Sequence, residues 1–347
     1  MTASTDTTVT TAIDPDVESL IRSVLDPSAS ESARWRTLVE TGLARLGTPE
    51  RLGGSAASMP EVAALLRAGG HAASPLPLAE NDLLAGRLLG LAADDRLRTV
   101  GILDGQDTVR SLPVTGEVEL VVVIRATPDG ATRIAEIPLS ECTRDDATNL
   151  AGEARPTVGL PAGWEERYDT GEGDRDLLRA VRLLVGWARA TAASGAMDRV
   201  LELAALHATS RTQFGRPIGR FQAVQQLVAD IAAKAALSRA VVEAAALRIG
   251  DADGSPLVGA VLAAEFEIAA ACSVVGHAAS TVVRNSHQVL GAMGTTREHD
   301  LHRYTTRLLA WRSDVSAVRD WDRLVLEHAR SAGSAWSRIA PVATAGR

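Results

Sequence analysis

Between Asp174 and about Arg330 the chain carries apolar residues at three- and four-residue spacing in four runs: Leu177–His207, Arg220–Ile249, Pro256–Gly291 and a last one from about His302. Globular helices average about three turns, so runs of this length bury their apolar stripes only by packing on one another. Adjacent antiparallel members then form a four-helix bundle. In the second run Val224, Leu227, Val228, Ile231, Ala235 and Val242 build one stripe, while Arg239 and Glu243 are expected to form an i,i+4 pair elsewhere on the helix. Two non-helical links, Phe214–Gly219 and Gly250–Ser255, interrupt the runs.

The rest of the chain has a different texture. From Asp14 to about Leu91 the helical periodicity is short-ranged, as in Val17, Leu20, Ile21 and Val24, and breaks at Asp26-Pro27, Gly53-Gly54, Met59-Pro60 and Ser74-Pro75. This predicts an N-terminal helical domain over 14–97. From 98 to 173, β-branched residues gather in Thr99–Leu103, Val118–Ala126 and Thr132–Ile137 between Gly, Pro and Asp, which predicts a reduced middle β domain of three or four strands, with 145–170 rich in loops. The bundle occupies 174–330, and frayed tails are expected over 1–13 and 331–347. The order helix, sheet, long helices is not that of an alternating parallel α/β domain.

The 347 residues are 46% hydrophobic, enough for a large core. A net charge of -7 argues against a broad nucleic-acid surface. Cys142 and Cys272 make neither a disulfide framework nor a metal cluster, and the seven histidines contain no HExxH spacing. No metal site is expected. The first residues lack a basic region followed by an apolar stretch, and charges interrupt the apolar runs, so neither a secretory signal nor a membrane span is expected and the location predicted is cytoplasmic.

Two segments carry a resemblance. Arg211-Thr212-Gln213-Phe214-Gly215-Arg216-Pro217-Ile218-Gly219-Arg220-Phe221-Gln222, continued by Ala223–Asp230, is similar to the signature between the first two bundle helices of acyl-CoA dehydrogenases. Gln288–Glu298, continued by Asp300–Tyr304, resembles that family's Gln, Gly-Gly, Gly, Glu loop, with Ala292 where the second glycine usually stands. Arg51–Gly54 and Pro75–Leu78 resemble the corresponding regions of actinobacterial members. The resemblance implies a mainly α, acyl-CoA dehydrogenase-like fold that binds FAD. It also implies that Arg211, Gln213, Phe214, Ile218 and Phe221 on one side, and Gln288, Gly291 and Ala292 on the other, reach a cofactor held mainly by a neighbouring subunit. The residue types suit a dinucleotide, since arginine offers a planar fork for a pyrophosphate and phenylalanine a face for adenine.

The family reaction takes a proton from the α carbon of an acyl thioester while a hydride leaves the β carbon, and so requires a carboxylate base. By gap-free counting the two positions that carry this glutamate in family members fall on Val185 and Val315, and neither valine accepts a proton. Asp314 is the nearest substitute, but a one-residue shift on a helix turns a side chain by about 100°. A Thr-Glu-Pro segment of the kind used near the flavin ring is also missing. The combination resembles the non-catalytic subunits of actinobacterial heterotetrameric acyl-CoA dehydrogenases. That implies a 2:2 assembly with a catalytic partner, an acyl-CoA substrate of the steroid side-chain or other bulky class, a 2,3-enoyl-CoA product and an electron-transfer acceptor. Two alternatives stay open: a self-sufficient homo-oligomer using Asp314, and a flavin-free helical interaction protein. His207 and His287 are read as packed or hydrogen-bonded residues, and Trp311, Trp321 and Trp336 as core or interface.

Overall fold

The structure, a computed structural model, describes residues 15–25, 29–92, 94–103, 107–250 and 257–332. The expected tail over 1–13, the second tail beyond 332 with Trp336, and the 250–255 link beyond Gly250 lie outside those residues. Helices α1 (Pro15–Val24), α2 (Glu31–Glu40) and α3 (Met59–His71) open the chain. Ser58 starts α3 through a capping box: its backbone N–H and its hydroxyl each donate to Glu61 Oε2 at 2.7 Å. Met59-Pro60, a break by sequence, is the first turn of that helix, where proline's missing N–H costs nothing. A π-helix over Ala79–Leu88 follows, with buried Glu80 and Asp82.

The middle region holds two sheets. In the larger, β1 (Leu97–Ile102) runs parallel to β3 (Val118–Ala126), which pairs antiparallel with β4 (Thr132–Pro138), and β4 with β7 (Asp169–Gly173). Strand β3 is buried at every position from Leu120 to Ile124, which explains its unbroken Val/Ile run. A smaller antiparallel sheet joins β2 (Thr108–Val109), β6 (Thr157–Gly159) and β5 (Thr143–Asp145). The stretch expected to be loop-rich therefore contains β6, α4 (Trp164–Tyr168) and the start of β7.

The bundle is built from α5 (Asp176–Ser210), α6 (Gln222–Gly250), linked to α5 by a hairpin of β8 (Thr212–Gln213) and β9 (Arg216–Pro217), and α8 (Glu265–Leu290), preceded by α7 (Leu257–Ala263). The fourth position is shared by α9 (Leu301–Trp311), packed on α5, and α10 (Val318–Ser331), packed on α8. Two of the long runs are thus divided, the third at Ala264 and the last over 312–317. Arg239 and Glu243 are not partnered with each other: Arg239 pairs with Asp198 on α5 and Glu243 with Arg67 on α3. Helix α8 corrects one expectation. Its charges cluster near the ends, leaving a segment long and apolar enough to cross a bilayer, but 56% of that window is buried in the bundle.

Candidate functional site

At one end of the bundle, Arg211 follows α5 in an extended conformation and its carbonyl accepts from Ile218 N–H at 2.8 Å. Pairing of Thr212 with Pro217 and Gln213 with Arg216 leaves Phe214-Gly215 as a two-residue loop. Both loop residues have positive φ, +51° and +75°, which is the primed turn that matches strand twist. Phenylalanine reaches this left-handed region at a cost of about 1–2 kcal/mol. Its side chain is 90% exposed, so burial within the chain does not offset that cost. Phe214 meets Phe221 edge-on at 6.0 Å, and Arg216 lies 4.2 Å over the Phe221 ring. Phe221 thus supports the hairpin from below, whereas Phe214, Arg211 and Gln213 are open to solvent.

The second predicted segment lies at the same end, because α6 returns antiparallel to α5 and α8 antiparallel to α6. Gln288, Gly291 and Ala292 are exposed. Gly291 has φ +59° and ψ −141°, a conformation closed to side-chain-bearing residues, and the space where a β-carbon would stand is empty. The two segments meet at His207, whose pKa is lowered by burial and then by His299 and Arg211. No carboxylate among the described residues pairs with Arg211, Arg216, Arg220 or Arg297. His287 instead joins α8 to α9 through Thr305 Oγ1 at 3.2 Å, with burial lowering its pKa.

The positions expected for a base lie elsewhere, at the junction of the helical, β and bundle regions. Val185 and Val315 pack against the core. Beside them runs a ladder of six charges, of which Glu80, Glu153 and Arg155 are buried and Arg189, Arg307 and Asp314 are 12–13% exposed. Glu80 of the π-helix pairs with Arg189 of α5, whose Nε donates to Asp314 Oδ2 at 2.7 Å. Asp314 Oδ1 lies 3.7 Å from Arg155 Nε, and Arg155 Nη2 donates to Glu153 Oε2 at 3.1 Å. Glu153 also accepts from Arg307 Nε and Trp311 Nε1, both at 3.0 Å. Burial pushes the Asp314 carboxyl up, but Arg189 and Arg155 outweigh it and hold the group below the usual carboxylate range. A carboxylate gripped by two guanidinium groups is a poor proton acceptor.

Enclosed space at this junction is small. One cavity of about 40 Å³ is lined by Gly70, Leu76, Arg155, Arg189 and Trp311, and another of about 20 Å³ by Gly186, Cys272, Val315 and Trp321. Ligand pockets of drug-sized molecules occupy roughly 300–1,000 Å³. Helices α3 and α5 close the region by touching backbone to backbone: a β-carbon on Gly70 would fall on the Ala192 carbonyl, and one on Gly195 on the Arg67 carbonyl. A wider cleft of about 340 Å³ opens at Val114–Gly116, Arg144, Glu153 and Arg307, where the buried Thr115 hydroxyl has no hydrogen-bond partner. No group of metal-ligating side chains occurs among the described residues.

Periodicity and motif both miss the ladder. Its one sequence signal is Arg189, an isolated charge in the otherwise uncharged stretch from Leu183 to Met197. A charge in a helix stripe that must be buried requires a buried counter-charge.

Residues 179–312 match the family described as acyl-CoA dehydrogenase, C-terminal domain. The chain is 31% identical over 284 residues to the acyl-CoA dehydrogenase IpdE2 of Mycobacterium tuberculosis, a match spanning 80% of each protein. A chain of the ChsE4-ChsE5 complex from Mycobacterium tuberculosis superposes with a TM-score of 0.78 at 20% identity, over 92% of this chain and 98% of that one. A chain of the Tcur3481-Tcur3483 steroid ACAD gives 0.73 at 18% identity, over 92% and 98% respectively. At these identities the superpositions establish the fold. Together with the sequence match they assign the chain to the acyl-CoA dehydrogenase family, flavoprotein oxidoreductases acting on acyl-CoA thioesters.

Proposed function

We propose that this chain is the acyl-CoA dehydrogenase subunit that completes the FAD site of a catalytic partner and supplies no base of its own. The observation that carries the reading is the state of the base positions. Val185 and Val315 are apolar, and the adjacent Asp314 is held in an ion-pair ladder by Arg189 and Arg155. The closed α3–α5 crossing supports it, since an acyl chain would need space there that two backbones occupy.

The residues at the bundle end fit a dinucleotide. Arg211 is an uncompensated cation, Gln213 an exposed amide, Phe214 a solvent-facing ring held in a costly conformation, and Gly291 a place of open backbone approach. Under this reading Arg211 and Gln213 hold the diphosphate, Phe214 stacks on adenine, Ile218 and Phe221 support the hairpin, and Gln288, Gly291 and Ala292 line the opposite side. The flavin, when bound, supplies the hydride acceptor that no side chain can provide.

The partner is a catalytic acyl-CoA dehydrogenase subunit in a 2:2 heterotetramer, in keeping with the two-protein ChsE4-ChsE5 complex among the structural neighbours. The substrate class is an acyl-CoA thioester with a steroid side chain or another bulky acyl group, oxidised to the 2,3-enoyl-CoA, with the flavin re-oxidised by an electron-transfer acceptor in the cytoplasm. Co-expression with the product of the neighbouring gene tests the reading. A yellow 2:2 complex with turnover is expected, together with lower flavin occupancy in Arg211→Ala. An isolated chain that binds one FAD and oxidises acyl-CoA by itself would refute it, and a colourless native assembly would favour a flavin-free interaction protein.

A further inference from the structure

The β8–β9 hairpin carries a side chain that the FAD reading leaves without a role. Gln213 faces Arg216 across the ladder, and Ile218 N–H bonds the Arg211 carbonyl at 2.8 Å. Strand alternation therefore sends Arg211, Gln213, Arg216 and Ile218 to one face of the hairpin and Thr212 and Pro217 to the other. Arg211 and Gln213 on that face are the proposed diphosphate contacts, and Ile218 supports the hairpin. Arg216 is the fourth.

Its guanidinium rests 4.2 Å over Phe221, which is itself fixed edge-on against Phe214. A ring face orders the side chain without acting as a conventional hydrogen-bond acceptor, so the planar fork keeps its N–H donors free. No described carboxylate pairs with Arg216 or Arg211. Two uncompensated guanidinium groups on one short face, in a chain of net charge -7, match a ligand with two adjacent anionic groups.

We infer that Arg216 is the second cation of a diphosphate clamp and binds the FAD pyrophosphate jointly with Arg211. The inference rests on the proposed FAD reading and extends it to a residue outside the contacts read from the motif. Phe221 acts as the pedestal that holds Arg216 in place, so its ring face is unavailable for adenine, which leaves Phe214 to stack.

The test uses the full chain co-purified with its catalytic partner, stripped of flavin and titrated with FAD by fluorescence, with assembly followed by size-exclusion chromatography. Arg216→Ala and Arg211→Ala should each weaken FAD binding by about tenfold, the scale of one lost hydrogen-bonded charge. Arg216→Lys, which keeps the charge and loses the fork, should recover part of that loss, most of it at low salt. FAD affinity within twofold of wild type in Arg216→Ala, beside a loss in Arg211→Ala, overturns the role of Arg216 alone. No change in either variant overturns the FAD reading itself. Impaired assembly with normal affinity in the assembled fraction assigns Arg216 to a protein contact and also overturns the clamp.

Discussion

Replacing Asp314 with asparagine separates a structural carboxylate from a catalytic one. The side chain is 13% exposed and pairs with Arg189, equally buried, and with Arg155, 7% exposed. Removing one partner of a buried pair costs about 3–5 kcal/mol because the remaining charge stays desolvated. Here Arg189 keeps Glu80 and Arg155 keeps Glu153, so the loss falls at the low end, about 3 kcal/mol. At about 2–4 °C per kcal/mol this lowers Tm by at most about 6–12 °C. A general base, by contrast, contributes about 10²–10⁴ to the rate and need contribute nothing to stability. The assay is therefore paired: thermal unfolding of the isolated chain, and turnover per folded complex below the unfolding range. The ladder predicts a large fall in Tm with turnover within about twofold of wild type, a much smaller change than the effect of losing a base. A variant as stable as wild type but inactive would refute the ladder and make Asp314 the base.

Phe214→Gly relieves the left-handed strain, so the isolated chain should gain about 1 kcal/mol in urea unfolding while flavin occupancy of the complex falls. Equal occupancy in the two complexes would remove Phe214 from the cofactor. Gly195→Ala forces a methyl group against the Arg67 carbonyl and should cost about 1–3 kcal/mol in the same assay, with faster amide exchange in α3. Unchanged exchange would mean that the two helices are not in backbone contact. Burial raises the Asp82 carboxyl from 3.8 to about 6 despite hydrogen bonds from Gly47 and Thr48. The folded state therefore favours its protonated form, and the Asp82 contribution to stability grows as pH falls from about 7 through 6 towards 4. Asp314 and Glu202 act oppositely, since their lowered values forfeit stability at still lower pH. His207 and His287, with lowered values, lose stability over the same range, so the readout is the difference between wild type and Asp82→Asn: the wild-type urea midpoint should gain on that of the variant between pH 7 and pH 5, and a difference that stays constant would refute the Asp82 contribution.

Much of the architecture was legible because it is periodic. Helices α5, α6 and α8 announce themselves through stripes that only long helices can bury, and β3 through a Val/Ile run that only a strand covered on both sides can carry. The hairpin was legible as a motif. What stayed hidden is what periodicity does not encode. The division at Ala264 falls among good helix formers, with neither glycine nor proline to mark it. The π-helix follows a proline-rich turn and holds Glu80 and Asp82 in its first turn, where acidic residues ordinarily read as solvated helix-start charges. The six members of the ladder span residues 80 to 314, and apart from Arg189, alone in an uncharged helical stretch, each is indistinguishable from a surface charge until the fold brings its partner to it.

The location of that ladder bears on why it exists. Buried ion pairs are seldom more stabilising than well-packed apolar residues of the same size, so six charges at a junction are not explained by stability. Their effect is geometric. Glu80 comes from the N-terminal helices, Glu153 and Arg155 from the β region, Arg189 from α5, and Arg307 and Asp314 from α9 and the turn after it. Any displacement of one region leaves a desolvated charge without its counter-charge, a penalty of several kcal/mol that a slippery apolar contact would not impose. Under the proposed function the chain presents a strained hairpin to a partner's cofactor and would need such rigidity, because the position of Arg211 and Phe214 relative to the partner would depend on how α5 is seated. A junction that opens to admit an acyl chain could not carry the same lock, so under the proposed function the ladder and the closed α3–α5 crossing are two consequences of a single loss.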